Sequence, residues 1–545
     1  MMRTTIRFNS ALIFFSFCTL YLIILFNLFL IQIWNRTFFS SLGTHQYQLT
    51  ITQLPVRAPI YDRNGTAQPL AVNKECVSAF IVPNKLGHKE ALTQFLQEHF
   101  PKAYQQFLTK QNRSFMYVKR RLSQDEIQLI KDAACEDIHL LSESSRFYPL
   151  PCAAPIVGFT DVDNKGLAGI ELQCNRDLTG KASTCYLEKD ARSGCFYFKK
   201  ELKHAGTQSK PTQLTIDNNL QFLVDEELAA TMKQYNAQEG AAIIMDPVTG
   251  EILSLVSRPY DDPNTGSFDI ANLKPRGITE SYERGSVMKV FAALAALEEQ
   301  VVTPQEIIDC KNSKTCTIDG RTINTLKAHG RIPFADVIAF SNNIGIAQVA
   351  KRLNEKLYDH YTRIGFGSKT GISLPGEQGG LINHPSNWSK QSIISLSYGY
   401  EISSTLLQLA CAFSMIANEG HPIIPKIIID GKPQEIRKKL YQPKTITTIK
   451  DILRKTTKYG TGWRFQLKGY DIMSKTGTAN LLENGTYNQN KNIFTCASII
   501  EKGPYKRVIV SYIKETQTPN AHADTVAVPL QKRIAEKMII HERVI

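Results

Sequence analysis

From Ala11 to Trp34 the chain carries no charged residue, and Leu, Ile and Phe dominate the run. An α-helix rises about 1.5 Å per residue, so about 20 such residues cross the hydrocarbon of a bilayer. A cleaved export signal has a shorter apolar region, about 7–15 residues, closed by small residues. Here the run closes on Ile33-Trp34-Asn35-Arg36, and Trp34 suits a membrane interface. Arg3 and Arg7 precede the run and only Arg36 closely follows it. The positive-inside rule then leaves the N-terminus in the cytoplasm and sends the chain beyond Arg36 across the membrane. No other stretch is long and apolar enough to span, so the remainder is expected to fold outside the cytoplasm.

That remainder is too long for one core. Domains run to roughly 100–200 residues, so a 545-residue chain implies two or three. Hydrophobic residues at 43% and charged residues at 21% mark globular domains rather than disorder. The formal net charge is +14, but Lys and Arg are scattered, with no long basic block and no zinc-finger spacing. The charge therefore reads as a solvated basic surface, and neither nucleic acid nor a structural metal is expected. Of the 11 cysteines, Cys18 lies in the span. Cys310 and Cys316 bracket one short polar loop, and Cys185 and Cys195 bracket another. Outside the cytoplasm either pair is able to close a hairpin, and the spacing leaves connectivity open.

Three segments are expected: residues 1–36 as cytoplasmic tip and anchor, 37–205 as a mixed domain of short strands, and 206–545 as the larger domain. The mixed domain has one helical patch, Ser123–Ala133, and residues 203–213 read as a linker. Asp217 is placed to cap a helix over Asn218–Tyr235. Ala241–Met245 and Glu251–Val256 are apolar runs joined by a Pro/Gly turn, which predicts a hairpin. Helical periodicity follows at Ser286–Glu299, Ala335–Leu353 and Ser404–Asn418, and strand-like runs return at Tyr470–Ser474, Thr495–Ile500 and Val508–Ile513. Strands at both ends with helices between predict an α/β domain whose sheet is built from both termini.

Chemistry concentrates at three places in that domain. Ser286-Val287-Met288-Lys289 opens an Ala/Leu-rich helix. Residues i and i+3 share a helix face, so the Lys289 amine reaches the Ser286 hydroxyl. A serine needs a neighbouring base to become a nucleophile, and a lysine serves when burial or another cation lowers its pKa. A second Ser-x-x-Lys, Ser511–Lys514, sits in a strand-like run, where i and i+3 point to opposite faces, and is set aside as chance. The second place is Ser341-Asn342-Asn343, at the start of an amphipathic helix, where a hydroxyl and an amide are able to line a cleft. Alone it would be an ordinary helix cap. The third is Lys475-Thr476-Gly477-Thr478, which ends a strand-like run before a loop: a positive charge, two hydroxyls for a carboxylate, and a glycine that admits a substrate backbone. Lys369-Thr370-Gly371 repeats the tripeptide in loop-like sequence.

Ser-x-x-Lys, a Ser-x-Asn element and Lys-Thr-Gly in this order form the motif set of penicillin-binding proteins and serine β-lactamases. The chain resembles a class B penicillin-binding protein of the division type. Further segments carry the resemblance: Arg57–Gly65 after the span; Arg146–Pro149, Gly158–Asp161 and Gly166–Glu171 in the pedestal domain; Ile364–Gly367, Leu374–Glu377, Tyr398–Tyr400 and Leu407–Ala410 in the transpeptidase domain. The resemblance implies a multidomain α+β protein. Its parts would be a single transmembrane helix, a mixed pedestal, and a β-lactamase-like α/β transpeptidase domain with a central antiparallel sheet.

The implied activity is D,D-transpeptidation of peptidoglycan stem peptides ending in D-Ala-D-Ala, through a serine acyl-enzyme that β-lactams also form, with no cofactor. Ser286 would be the nucleophile and Lys289 its base. Ser341 would relay a proton to the leaving D-alanine. Asn343 would bind substrate and hold Lys289. Lys475 would add positive potential, and Thr476, Gly477 and Thr478 would receive the carboxylate. The implied partners are a SEDS-type glycosyltransferase, other divisome membrane proteins and the membrane itself. Arg284 replaces a common Pro and Ser474 a common Gly, and Ser474 is expected to place a side chain beside the active strand. A class A enzyme would carry a polymerising motif in residues 37–205, a β-lactamase would lack the pedestal, and a sensor would need several spans. An elongation-type enzyme or a catalytically silent scaffold stays open.

Overall fold

The computed structural model of the chain describes residues 2–53, 55–189, 196–483, 485–518 and 521–544. It divides into two compact units, neither continuous in sequence: Met1–Arg57 with Thr179–Lys210, and Ala58–Leu178 with Pro211–Ile545.

In the first unit α1 (Met2–Phe29) runs into a π-helical turn, Leu30–Trp34. Ile6–Trp34 is long and apolar enough to cross a membrane. Gln48–Gln53, Ser183–Lys189 and Phe196–His204 form an antiparallel sheet. The segment read as a linker is tied at Lys181 and Thr207 by a β-bridge. The Cys185–Cys195 pairing lies outside the described residues.

In the second unit the long strand Gly65–Ile81 pairs with Ile60–Asp62, Met116–Lys119 and His139–Phe147. Helices Lys89–His99, Pro101–Thr109 and Gln124–Asp132 pack on it through Leu92, Leu96, Phe107 and Ile130. The last of these is the helical patch expected over Ser123–Ala133. It begins on a capping box, in which Ser123 and Glu126 each bond the other's backbone N–H. Arg146 and Glu171 form a fully buried ion pair at 2.6 Å.

The larger part of this unit is built on five strands: β1 (Glu239–Met245), β2 (Ile252–Arg258), β3 (Asp471–Glu483), β4 (Thr486–Lys502) and β5 (Tyr505–Lys514). Their order is β2-β1-β5-β4-β3, and every pair is antiparallel. The predicted hairpin is β1–β2, and the sheet joins both ends of the domain through β1 and β5. Both faces are covered, which explains the unbroken apolar runs. Ala241, Ile243 and Met245 enter one core while Ala242 and Ile244 enter the other. Strand geometry sends alternate residues to opposite faces.

On one face lie α2 (Asn218–Tyr235), capped by the Asp217 carboxylate, and the C-terminal helix Ala523–His541. The helices that carry the site lie on the other. There α3 (Lys289–Glu298) is apolar all round, with Val290 to Ala296 each 0% exposed, as suits a helix enclosed by its neighbours. Next come α4 (Phe334–Ala339), α5 (Asn343–Lys351), α6 (Leu406–Ala417) and α7 (Pro443–Lys458).

One expectation needs correction, and one open question is answered. The single helix over 335–353 is two helices, broken where Ser341 takes φ +57. Cys310 and Cys316 form no disulfide; Cys310 is buried against α5, while Cys316 lies in a hairpin closed by backbone pairing of Thr315–Ile318 with Arg321–Asn324.

Candidate active site

Ser286 stands in a tight turn, Gly285–Met288, that feeds α3. The turn is 3-10 helical, a geometry in which i and i+3 side chains eclipse, so Ser286 and Lys289 leave on the same side. Gly285 takes φ +53, and a Cβ there would lie 2.3 Å from the Thr478 carbonyl oxygen. A Cβ on Gly477 would lie 2.2 Å from the Arg284 carbonyl oxygen. These two glycines let β3 run directly against the backbone that carries the serine.

Lys289 is fully buried, and its Nζ donates to the Ser341 carbonyl at 2.6 Å and to Ser341 Oγ at 3.1 Å. Lys475, also fully buried, donates to the same Oγ at 3.0 Å and to the Thr476 carbonyl at 2.8 Å. Neither amine meets a carboxylate among the described residues. Burial, and then the adjacent Lys475 charge, push Lys289 well below the usual lysine range. Burial pulls Lys475 down to about 7. Two ammonium ions on one hydroxyl repel, so near neutrality the pair holds a free amine able to take a proton.

The left-handed turn at Ser341 is what aims both its carbonyl and its hydroxyl at Lys289. Asn343 departs from expectation. Its amide donates to the Asn324 carbonyl at 2.5 Å, and Lys289 is held by Ser341 instead. Lys475 to Thr478 do not end a strand. They sit within β3, paired in register with Ala497, Cys496, Thr495 and Phe494. Thr476 Oγ1 donates to Thr461 Oγ1 at 2.9 Å, while Thr478 is half-buried with its carbonyl against Gly285.

The two unusual residues are both absorbed by packing. The Ser474 hydroxyl turns toward α7, 3.1 Å from Thr457 Oγ1, and the Ser474 carbonyl accepts from Thr456. Arg284, 1% exposed, donates through Nε and Nη2 to the Ser404 carbonyl at 3.2 and 3.0 Å. Its guanidinium lies over the Tyr512 and Tyr282 rings at 5.0 and 5.6 Å, and burial lowers it to about 10. Thr461 and the aromatic cradle of Arg284 were invisible in the motifs. The Gly460-Thr461-Gly462 turn is the one local signal that a backbone must come close there.

Both repeated motifs fall where their local sequence placed them. Ser511 lies on β5, buried under Gln531, while Lys514 joins Glu239 on the other face. Lys369 is exposed on a loop, and the Thr370 and Gly371 amides donate to Glu377.

The Penicillin binding protein transpeptidase domain model matches residues 240–536, and the Penicillin-binding Protein dimerisation domain model matches residues 52–210. The chain is 29% identical over 460 residues to the probable peptidoglycan D,D-transpeptidase PbpC of Pseudomonas aeruginosa, covering 82% of this chain and 80% of that one. It is 27% identical over 521 residues to peptidoglycan D,D-transpeptidase FtsI of Buchnera aphidicola, covering 92% and 89%. In fold it is similar to crystalline penicillin binding protein 3 of Mycobacterium tuberculosis complexed with aztreonam. The TM-score there is 0.67 at 24% identity, covering 91% of this chain and 98% of that one. The fold shared with such proteins, the three motifs packed against one another and a transpeptidase match over more than half the chain agree: the chain belongs to the penicillin-binding protein transpeptidase family.

Proposed function

We propose that this protein is a serine-type peptidoglycan D,D-transpeptidase that cross-links stem peptides ending in D-Ala-D-Ala and is acylated by β-lactams at the same residue. The observation that carries the reading is the convergence of two buried amines, Lys289 and Lys475, on the one Ser341 hydroxyl beside the Ser286 turn. In this reading neutral Lys289 takes the Ser286 proton, and Ser286 Oγ attacks the penultimate carbonyl. The oxyanion accepts from the backbone N–H groups of Ser286 and Thr478. Collapse breaks the amide bond, and the departing D-alanine amine takes a proton relayed through Ser341. The acceptor amine then attacks the ester and releases Ser286. Thr476 and Thr478 receive the substrate carboxylate, with Gly477 admitting its backbone, and Asn343 lines the substrate groove.

As domains we propose residues 1–36 as anchor, 37–205 as pedestal and 206–545 as transpeptidase. The chain spans the bacterial inner membrane once, with a cytoplasmic N-terminus and a periplasmic catalytic domain. Arg3 and Arg7 ahead of the span support that orientation. The role proposed is septal. Support comes from the Arg57–Gly65 and Tyr398–Ala410 segments and from the FtsI relatives, and the partner proposed is a SEDS-type glycosyltransferase with other divisome membrane proteins. Mass spectrometry of the penicilloyl adduct tests the chemistry: it should map to Ser286, and labelling at another serine overturns the site. Depletion in the source bacterium tests the role. Septation should stop while cell bodies enlarge, whereas cells that round up and still divide would indicate elongation.

A further inference from the structure

Ser341 is held in a left-handed backbone, φ +57, that a non-glycine residue adopts only at a steric cost. Neighbouring contacts must hold it there. Asn342, fully buried, is the nearest brace. Its N–H donates to the Val337 carbonyl at 2.8 Å and its Oδ1 accepts from Gly345 N at 2.9 Å. With Oδ1 occupied as the cap of α5, the amide orientation is settled, and Nδ2 points at His329 Nδ1, 3.2 Å away. An amide N–H only donates, so Nδ1 has to accept, and the imidazole has to be neutral with its proton on Nε2.

The ring is well placed to accept. It stacks on Phe340 at 5.0 Å and 12°, and its backbone carbonyl accepts from Asn312 N at 2.8 Å. Phe340 in turn meets Tyr459, whose hydroxyl donates to Asp336 at 2.7 Å.

We infer that His329 is a positioning residue for Ser341: its neutral Nδ1 anchors Asn342 and so keeps the Ser341 hydroxyl between the two lysines. The inference rests on the transpeptidase reading above. The charged groups on the elements packed here are Lys327 in its own loop, Arg331 two residues on and paired in register with Asp309, the Asp309–Lys311 ion pair of the segment that bonds the His329 backbone, Asp336 bonded to Tyr459, and Lys289 and Lys475, which both bond Ser341. Burial, with Lys327 in support, lowers His329 below the usual histidine value, while a hydrogen bond to the Lys327 backbone acts the other way. The ring is therefore neutral at neutral pH and becomes a donor only in acid, when it can no longer accept from Asn342.

The test is the second-order rate of acylation by a labelled penicillin, measured on the full chain in detergent between about pH 5 and 9, the window in which histidine titrates. Wild type should lose rate in acid more steeply than one proton allows, because the lysine pair and His329 both titrate. His329→Gln keeps an acceptor that does not protonate. It should stay within about threefold of wild type at the alkaline end and show a one-proton acid limb. His329→Phe keeps the stack but leaves the Asn342 amide unpaired, and should be roughly tenfold slower throughout. A wild-type-shaped acid limb in His329→Gln overturns the inference, and so does a wild-type rate in His329→Phe. If melting shows His329→Phe to be unfolded, the Gln limb decides. No Ser286 adduct in wild type would sink the transpeptidase reading itself, whereas an adduct with unaltered limbs sinks only the role of His329.

Discussion

Lys475-Thr476-Gly477 and Lys369-Thr370-Gly371 are one tripeptide in opposite surroundings. The first lies inside an antiparallel sheet, its lysine fully buried and bonded to Ser341, its glycine pressed against the Arg284 carbonyl. The second is a surface loop whose lysine is solvated and whose glycine, at φ +84, has nothing within 4 Å of a would-be Cβ. Yet the loop copy folds its Thr370 and Gly371 amides around the Glu377 carboxylate at 2.7 and 3.1 Å. Carboxylate affinity is thus within reach of the tripeptide in a loop. Burial in the sheet adds a lysine stripped of water beside a second lysine. The Ser-x-x-Lys pair teaches the same lesson: a tight turn sends Ser286 and Lys289 out on one side, and a strand sends Ser511 and Lys514 to opposite faces.

The largest expected effect separates the two serines. Ser286→Ala should abolish the penicilloyl adduct. Ser511→Ala should keep it and lose only the hydrogen bond from Gln531, roughly 1 kcal/mol in a melt.

Next come the lysines. Lys289→Ala should slow acylation by at least about 10²-fold, the low end for losing a general base. Lys475→Ala should also slow it, and should shift its pH dependence. Lys289 works only as the free amine, so the rate falls as pH drops. With the Lys475 charge gone, Lys289 returns toward the ordinary lysine range and the acid limb moves to higher pH. Lys369→Ala should leave both rate and limb in place, and equal damage from Lys369 and Lys475 would erase the distinction between the two copies.

The glycines give the smallest and most graded test. Gly477→Ala forces a methyl to within 2.2 Å of backbone, so a loss of roughly 1–3 kcal/mol and impaired acylation are expected. Gly371→Ala meets no atom and bears only the left-handed strain, about 1 kcal/mol, with acylation intact. Thermal melts beside adduct formation read both.

Three features were legible in the residues alone: the membrane-length helix, the α/β domain whose sheet draws on both termini, and the strand or loop context that separates each motif from its repeat. Each rests on local properties: an apolar run, a period of two or of about three and a half, a turn residue at a known offset. Three features were decided only by the tertiary structure. The predicted helix over 335–353 breaks at Ser341 because a buried lysine from α3 bonds the freed carbonyl there. Ser474 and Arg284, which looked like departures at the active strand, point into α7 and an aromatic cradle contributed by distant segments. The chemistry of the two lysines comes from burial of both and, for Lys289, from the Lys475 charge beside it, and none of this exists until β3 packs against the Ser286 turn. A lysine's place in the chain gives its identity, but its proton affinity is set by the dielectric and the charges that the fold gathers around it.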